Sequence, residues 1–141
     1  MRLEIEGRPA VENASERQVR AALKALRSSG PSSFASLTDD LGSYVQVAGG
    51  RVTCLLEKRE AAGQHLRAFH INPVAKFADG TVLAFGGGAM ALRSDEWFTA
   101  EQVADVFVAF LRKEAAPDSV NWRDVTATMA APTDPKSDSA R

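Results

Sequence analysis

The chain of 141 residues is 45% hydrophobic with a formal net charge of −1, which suits one domain with one substantial core and argues against a surface that neutralises many phosphates. No window approaches the roughly 18 consecutive apolar residues of a membrane span. Residues 1–10 hold Arg2, Glu4 and Glu6 without an apolar leader segment, and Cys54 is the lone cysteine, so no intrachain disulfide forms and a cytoplasmic, reducing setting is expected.

Arg2 to Glu6 alternates Leu3 and Ile5 against charged neighbours, the period of a half-buried strand, and Gly7 to Pro9 ends it. A helix follows. Ser15 and Gln18 form a capping box, Val19, Ala22, Leu23 and Leu26 recur at helical spacing, and Ser28, Ser29, Gly30 and Pro31 stop the element. Its other face carries Arg17, Arg20, Lys24 and Arg27, read as a solvated face, with contact to an acidic partner as the alternative.

From Phe34 to Phe85 short alternating runs broken by glycine predict several strands. Gly49 and Gly50 are expected to make a two-residue primed turn that pairs Ala48 with Arg51 and Gln46 with Thr53, and Ala61, Ala62 and Gly63 a three-residue hairpin loop. In that register Val45, Val47, Val52, Cys54, Leu56, Leu66 and Ala68 share a core face. The opposite face collects Tyr44, Gln46, Thr53, Leu55, Glu57, Arg59, Arg67, Phe69 and Ile71, with Glu57 across from Arg67; it is either half-covered or made for contact. His70 to Phe77 reads as an irregular connection or an edge, Asp79-Gly80 as a turn, Thr81 to Phe85 as one further strand, and Gly86 to Gly88 as a sharp turn or bulge.

Phe98 to Lys113 is the clearest helix. Thr99 and Gln102 make a second capping box, Phe98 can staple onto Val103, and Val103, Val106, Phe107, Phe110 and Leu111 form one apolar stripe before Arg112, Lys113 and Pro117 close the element. Val120 to Val125 then brings Trp122 back over a helix end or sheet edge. The expected architecture is α+β: an antiparallel sheet of about five to six strands, a meander of hairpins, covered on one face by two helices, in a single domain over residues 1–129 with a disordered tail over 130–141.

The residues with reactive side chains give little chemistry. Cys54 falls opposite His70, yet between Val52 and Leu56 on a buried face a thiol is inert, so a packed core cysteine is the reading. His65 and His70 lack metal-ligand spacing, the glycine triplet does not open a helix as a phosphate loop does, and no carboxylate pair has acid–base spacing. No catalytic, cofactor-binding or metal residue is assigned, and the chain is not expected to be an enzyme. Asp95, Glu96 and Trp97, acids beside an aromatic just ahead of a helix, suit an interface anchor, or else Trp97 is buried with Phe98 in the staple.

Ser-Tyr-x-Gln at Ser43 to Gln46, the Gly-Gly pair, Leu-Glu-x-Arg at Leu56 to Arg59, the Phe-rich helix at Thr99 to Leu111 and Asn-Trp-Arg-Asp at Asn121 to Asp124 follow one another in an order that resembles the immunity proteins of bacterial polymorphic toxin systems, in particular immunity protein family one. The similarity covers roughly residues 34 to 126. The resemblance implies a cytoplasmic α+β inhibitor encoded beside a toxin, often a deaminase or nuclease, that binds the toxin domain and blocks its active site. Tyr44, Gln46, Glu57, Arg59, Asp95, Glu96 and Trp97, chosen on expected exposure, are the candidate contacts. The alternatives are a small-molecule-binding or enzymatic α+β domain with its ligand on the concave sheet face, and a secretion chaperone or adaptor for an effector. The oligomeric state stays open.

Overall fold

In the computed structural model, which describes residues 1–72 and 76–127, six of the alternating segments pair into one antiparallel sheet and both capped segments are helical. In chain order the elements are β1 (Arg2–Ile5), α1 (Glu16–Ala25), β2 (Phe34–Thr38), β3 (Tyr44–Gly50), β4 (Thr53–Arg59), β5 (His65–Phe69), β6 (Thr81–Phe85), β7 (Gly88–Leu92), a 3₁₀ turn (Ser94–Glu96), α2 (Ala100–Leu111) and β8 (Asn121–Asp124). The sheet order is β1-β2-β3-β4-β5-β8, while β6 and β7 form a separate two-stranded ribbon. The α+β expectation therefore stands. The tail expected over 130–141 and Pro73 of the irregular connection lie outside the described residues.

Both capping boxes close. Ser15 Oγ accepts from Gln18 N at 3.1 Å and Gln18 Oε1 from Ser15 N at 2.9 Å; the Thr99 and Gln102 pair does the same at 3.2 and 3.0 Å. α1 meets Arg112 through Glu16 and Asp105 through Arg20, so the two helices run antiparallel. α2 is buried beyond its expected stripe, at Val103, Ala104, Val106, Phe107, Val108 and Ala109, because α1 covers the side the sheet does not; Phe110 and Leu111 are only half-buried. Val19 and Leu23 of α1 with Leu26 at its C-cap, Phe107 of α2, and Leu3, Leu37, Val47 and Leu56 of the sheet make one apolar core, each such side chain contributing about 1.5–3 kcal/mol by leaving water.

One turn departs from the expected register. Gly49 pairs with Cys54 and Gly50 with Thr53, so the turn residues are Arg51 and Val52. The glycines serve a different need. A Cβ on Gly50 would sit 2.3 Å from the Leu26 carbonyl oxygen, and one on Gly49, at φ +92°, 2.2 Å from that of Thr53; β3 passes directly under the end of α1, where only bare backbone fits. Arg51 takes φ 59° instead, and its carbonyl accepts from Ala100 N at 2.6 Å, satisfying a free donor at the start of α2. Because the turn moves by two residues, every side chain keeps its expected face. Val52 alone leaves, 62% exposed in the turn.

The β4–β5 loop is as expected, with Glu57 opposite Arg67 and Gly63 at φ +103°. Cys54, however, does not face His70. Beyond Glu57 the place beside β4 passes to Phe98, which exchanges two backbone hydrogen bonds of 2.9 Å with Cys54. His70 turns aside, its Nε2 2.9 Å from the Trp97 carbonyl oxygen and its ring stacked on Phe98 at 3.9 Å. Trp122, on β8 at the sheet edge, is half-buried with Lys58 Nζ 4.4 Å over its ring.

Candidate functional site on the outer sheet face

Strand alternation puts an unusual set of side chains on the sheet face away from the helices. Its middle row crosses all six strands through directly paired residues: Glu4, Ser36, Gln46, Glu57, Arg67 and Arg123. A flanking row runs Arg2, Thr38, Tyr44, Arg59 and His65. On the other side Phe34, Ala48 and Leu55 pair in turn. A row of this polarity needs water or mutual pairing. It has one at each end.

Over β4, β5 and β8 the row is roofed by the β6–β7 ribbon and the 3₁₀ turn, whose Leu83, Leu92, Met90 and Trp97 pack on Leu55 in a second, smaller apolar cluster. Beneath that roof the charges pair. Glu57, 3% exposed, accepts from Arg67 Nε at 2.8 Å on one oxygen and from Gln46 Nε2 at 3.0 Å on the other, which also lies 3.2 Å from His65 Nε2. Glu96, 2% exposed, lies 3.7 Å from Arg67 Nη1 and accepts from Arg123 Nη1 at 2.8 Å and from the Arg93 backbone N–H at 2.7 Å. Arg123 also donates to Asp95 at 2.9 Å and lies over the Phe69 ring at 4.4 Å. The hydrogen bond to Asp95, helped by the charges of Asp95 and Glu96, holds the Arg123 guanidinium pKa above its ordinary value against the opposing effect of burial.

Over β1 to β3 the row is open. Glu4, Ser36 and Gln46 line a groove of about 640 Å³, with Phe34, Phe85 and Met90 as apolar walls, Arg2, Glu6 and Arg8 along its border and Glu57 at its inner end. The tip of the ribbon fixes one wall. Glu6 Oε1 accepts from Ser33 N and Oγ, both at 2.7 Å, and Ser33 Oγ in turn accepts from Gly86 N at 2.7 Å. Gly86 and Gly87 are the two-residue turn between β6 and β7, so the glycine triplet is a sharp turn, and a Cβ on Gly86 would sit 2.4 Å from the Glu6 carboxylate.

The expected exposure of the candidate contacts fails at two of them. Glu57 is buried because the ribbon and the 3₁₀ turn cover that half of the face, and Glu96 because it reaches from that turn onto it; Glu57 is spent on Arg67 and Glu96 on Arg67 and Arg123. Asp95 is half-buried in its pair with Arg123. Trp97 is half-buried against the tilted ring of Phe77 at 4.4 Å, whereas Phe98 turns into the main core with Val103, so neither an open anchor nor a shared staple describes the pair. Tyr44, Gln46 and Arg59 remain accessible. His65, Arg123, Ser33, Glu6, Phe34, Phe85 and Met90 were not among the expected contacts. Only Arg67 carried a signal, its cross-strand position opposite Glu57.

Both Glu57 oxygens are thus engaged by neighbouring side chains. Cys54 is buried, and burial pushes its thiol up to about 12. Among the described residues no cluster of three or more His, Cys, Asp or Glu is placed to hold a metal ion, and no helix is long and apolar enough to cross a membrane. No family model, no curated protein and no solved structure matches the chain.

Proposed function

We propose that this chain is an immunity protein that binds a cognate bacterial toxin domain, of the deaminase or nuclease class, through the open half of its outer sheet face, and blocks that domain without catalysing a reaction. One observation carries the reading. The groove between β1 and the ribbon joins apolar walls, Phe34, Phe85 and Met90, to a row of acceptors whose inner member, Gln46, is held by Glu57 and, through it, by Arg67. A side chain fixed in this way has little left to order on entering a complex, which favours affinity. Gln46 lies within the groove, while Tyr44 and Arg59 continue the same face beside it. The resemblance to toxin-system immunity proteins supplies the kind of partner. Concavity also suits a small ligand, and this is the competing reading.

Co-expression with the protein encoded immediately upstream decides between them, scored by host growth and co-purification. Rescue together with a stable complex is the expected result. A complex without rescue would point to a secretion chaperone. Neither, with the neighbour toxic and expressed, would return a ligand-binding or enzymatic role to the front.

A further inference from the structure

The groove has an imbalance of charge that bears on what enters it. Beneath the roof three carboxylates, Glu57, Glu96 and Asp95, meet two guanidiniums, Arg67 and Arg123. In the open half Glu4 and Glu6 stand with Arg2 and Arg8, and Arg2 reaches away to Glu12 while its Nε stays 3.5 Å from Glu4. Among the residues that line the groove itself, Glu4, Glu6 and Glu57 stand against Arg2 and Arg8, one acid more than base.

The acceptors are also aimed. A carboxylate can only accept, so Gln46 must turn its Nε2 to Glu57, as it does at 3.0 Å, and this leaves its Oε1 for a donor from the groove. Ser36 and Glu4 continue the line on the next two strands, at about 4.8 Å per strand. Phe34 and Phe85 meet edge to face at 6.2 Å beside them, and Met90 closes the wall. A flat cation with several N–H donors and an apolar stem matches all three features, since its plane and methylenes lie on rings and thioether while its donors face the acceptor row.

We infer that the groove receives an arginine side chain presented by the protein partner, its guanidinium between Glu4 and Gln46. This rests on the proposed function for the kind of partner, but the site itself is testable without one. The full chain, labelled with ¹⁵N, is titrated with Nα-acetyl-arginine amide, with the lysine analogue, and with the citrulline analogue, which keeps the shape and loses the charge. Arginine shifts the amide signals of Phe34, Ser36, Gln46 and Phe85; lysine binds at least fivefold more weakly; citrulline leaves them in place. Glu4→Gln weakens arginine binding about tenfold, and Gln46→Leu abolishes the selectivity over lysine. Equal response to citrulline, or shifts spread over acidic surfaces elsewhere, overturns the assignment. A toxin complex of undiminished affinity with Glu4→Gln and Gln46→Leu together overturns it while leaving the immunity reading intact. Selective arginine binding without any complex upholds the site and removes the immunity reading instead.

Discussion

Glu57 sits where three neighbours depend on one side chain, with Arg67 on one oxygen and Gln46 and His65 on the other. Removing it strands the Arg67 guanidinium, 11% exposed and otherwise 3.7 Å from Glu96. Breaking one side of a buried pair costs about 3–5 kcal/mol. Glu57→Ala should therefore lower the urea midpoint by that equivalent, whereas Arg59→Ala, on an exposed neighbour, should stay within about 0.5 kcal/mol. Similar midpoints for the two would mean that the network carries no structural weight. Cys54 gives a pH signature. Its folded-state pKa of about 12 lies above the ordinary 9.0 because burial penalises the thiolate. The unfolded chain thus releases the proton first, so the stabilisation is whole below pH 9.0 and falls away as pH rises towards 12. Urea midpoints between pH 8 and 10 should decline accordingly in the wild-type chain and less in Cys54→Ala.

The end of α2 has room for improvement. Lys113 N–H donates to Phe110 O and Glu114 N–H to Ala109 O, at 3.1 and 2.8 Å, with Lys113 left-handed at φ 59°. This is the paired-bond stop that glycine usually makes. A side chain there costs about 1 kcal/mol, so Lys113→Gly should raise the melting temperature by about 3 °C in calorimetry. Elements of this kind were legible from four-residue signals, as the two capping boxes show, because cap and partner are local. The Gly49-Gly50 turn was misplaced for the opposite reason. What requires Gly50 is the backbone of Leu26, more than twenty residues earlier in the chain, while Gly49 is fixed by its positive φ and the Thr53 carbonyl across the turn. β7 passed unnoticed because Gly-Ala-Met-Ala-Leu has no β-branched residue and little of the composition by which strands are recognised.

Across the whole molecule the two sheet faces carry unequal cores. The helix side is a continuous apolar interior, while the ribbon is held by Leu55, Leu83 and Leu92 together with the Glu6, Ser33 and Gly86 hydrogen bonds. Opening the ribbon exposes far less apolar surface than unfolding the sheet. Ser33→Ala should speed hydrogen exchange across Thr81–Leu92 while leaving α2 and β3 protected; uniform acceleration would mean the two cores are one cooperative unit. The same inequality explains what the candidate site hid. Alternation assigned Glu57 and Gln46 to the outer face, but nothing in their neighbourhood told that a ribbon thirty residues downstream would cover one and spare the other. Arg123 and Glu96 likewise meet only through the fold.

The row from Glu4 to Arg123 has a consequence for how this protein can diverge. Glu4, Ser36 and Gln46 touch solvent and can be exchanged one at a time. Glu57, Arg67, Glu96 and the half-buried Arg123 neutralise one another, so a change at one is tolerated only with a matching change at another. Under the proposed function, a lineage following a shifting partner should therefore rewrite the open end of the row and inherit the closed end as a block.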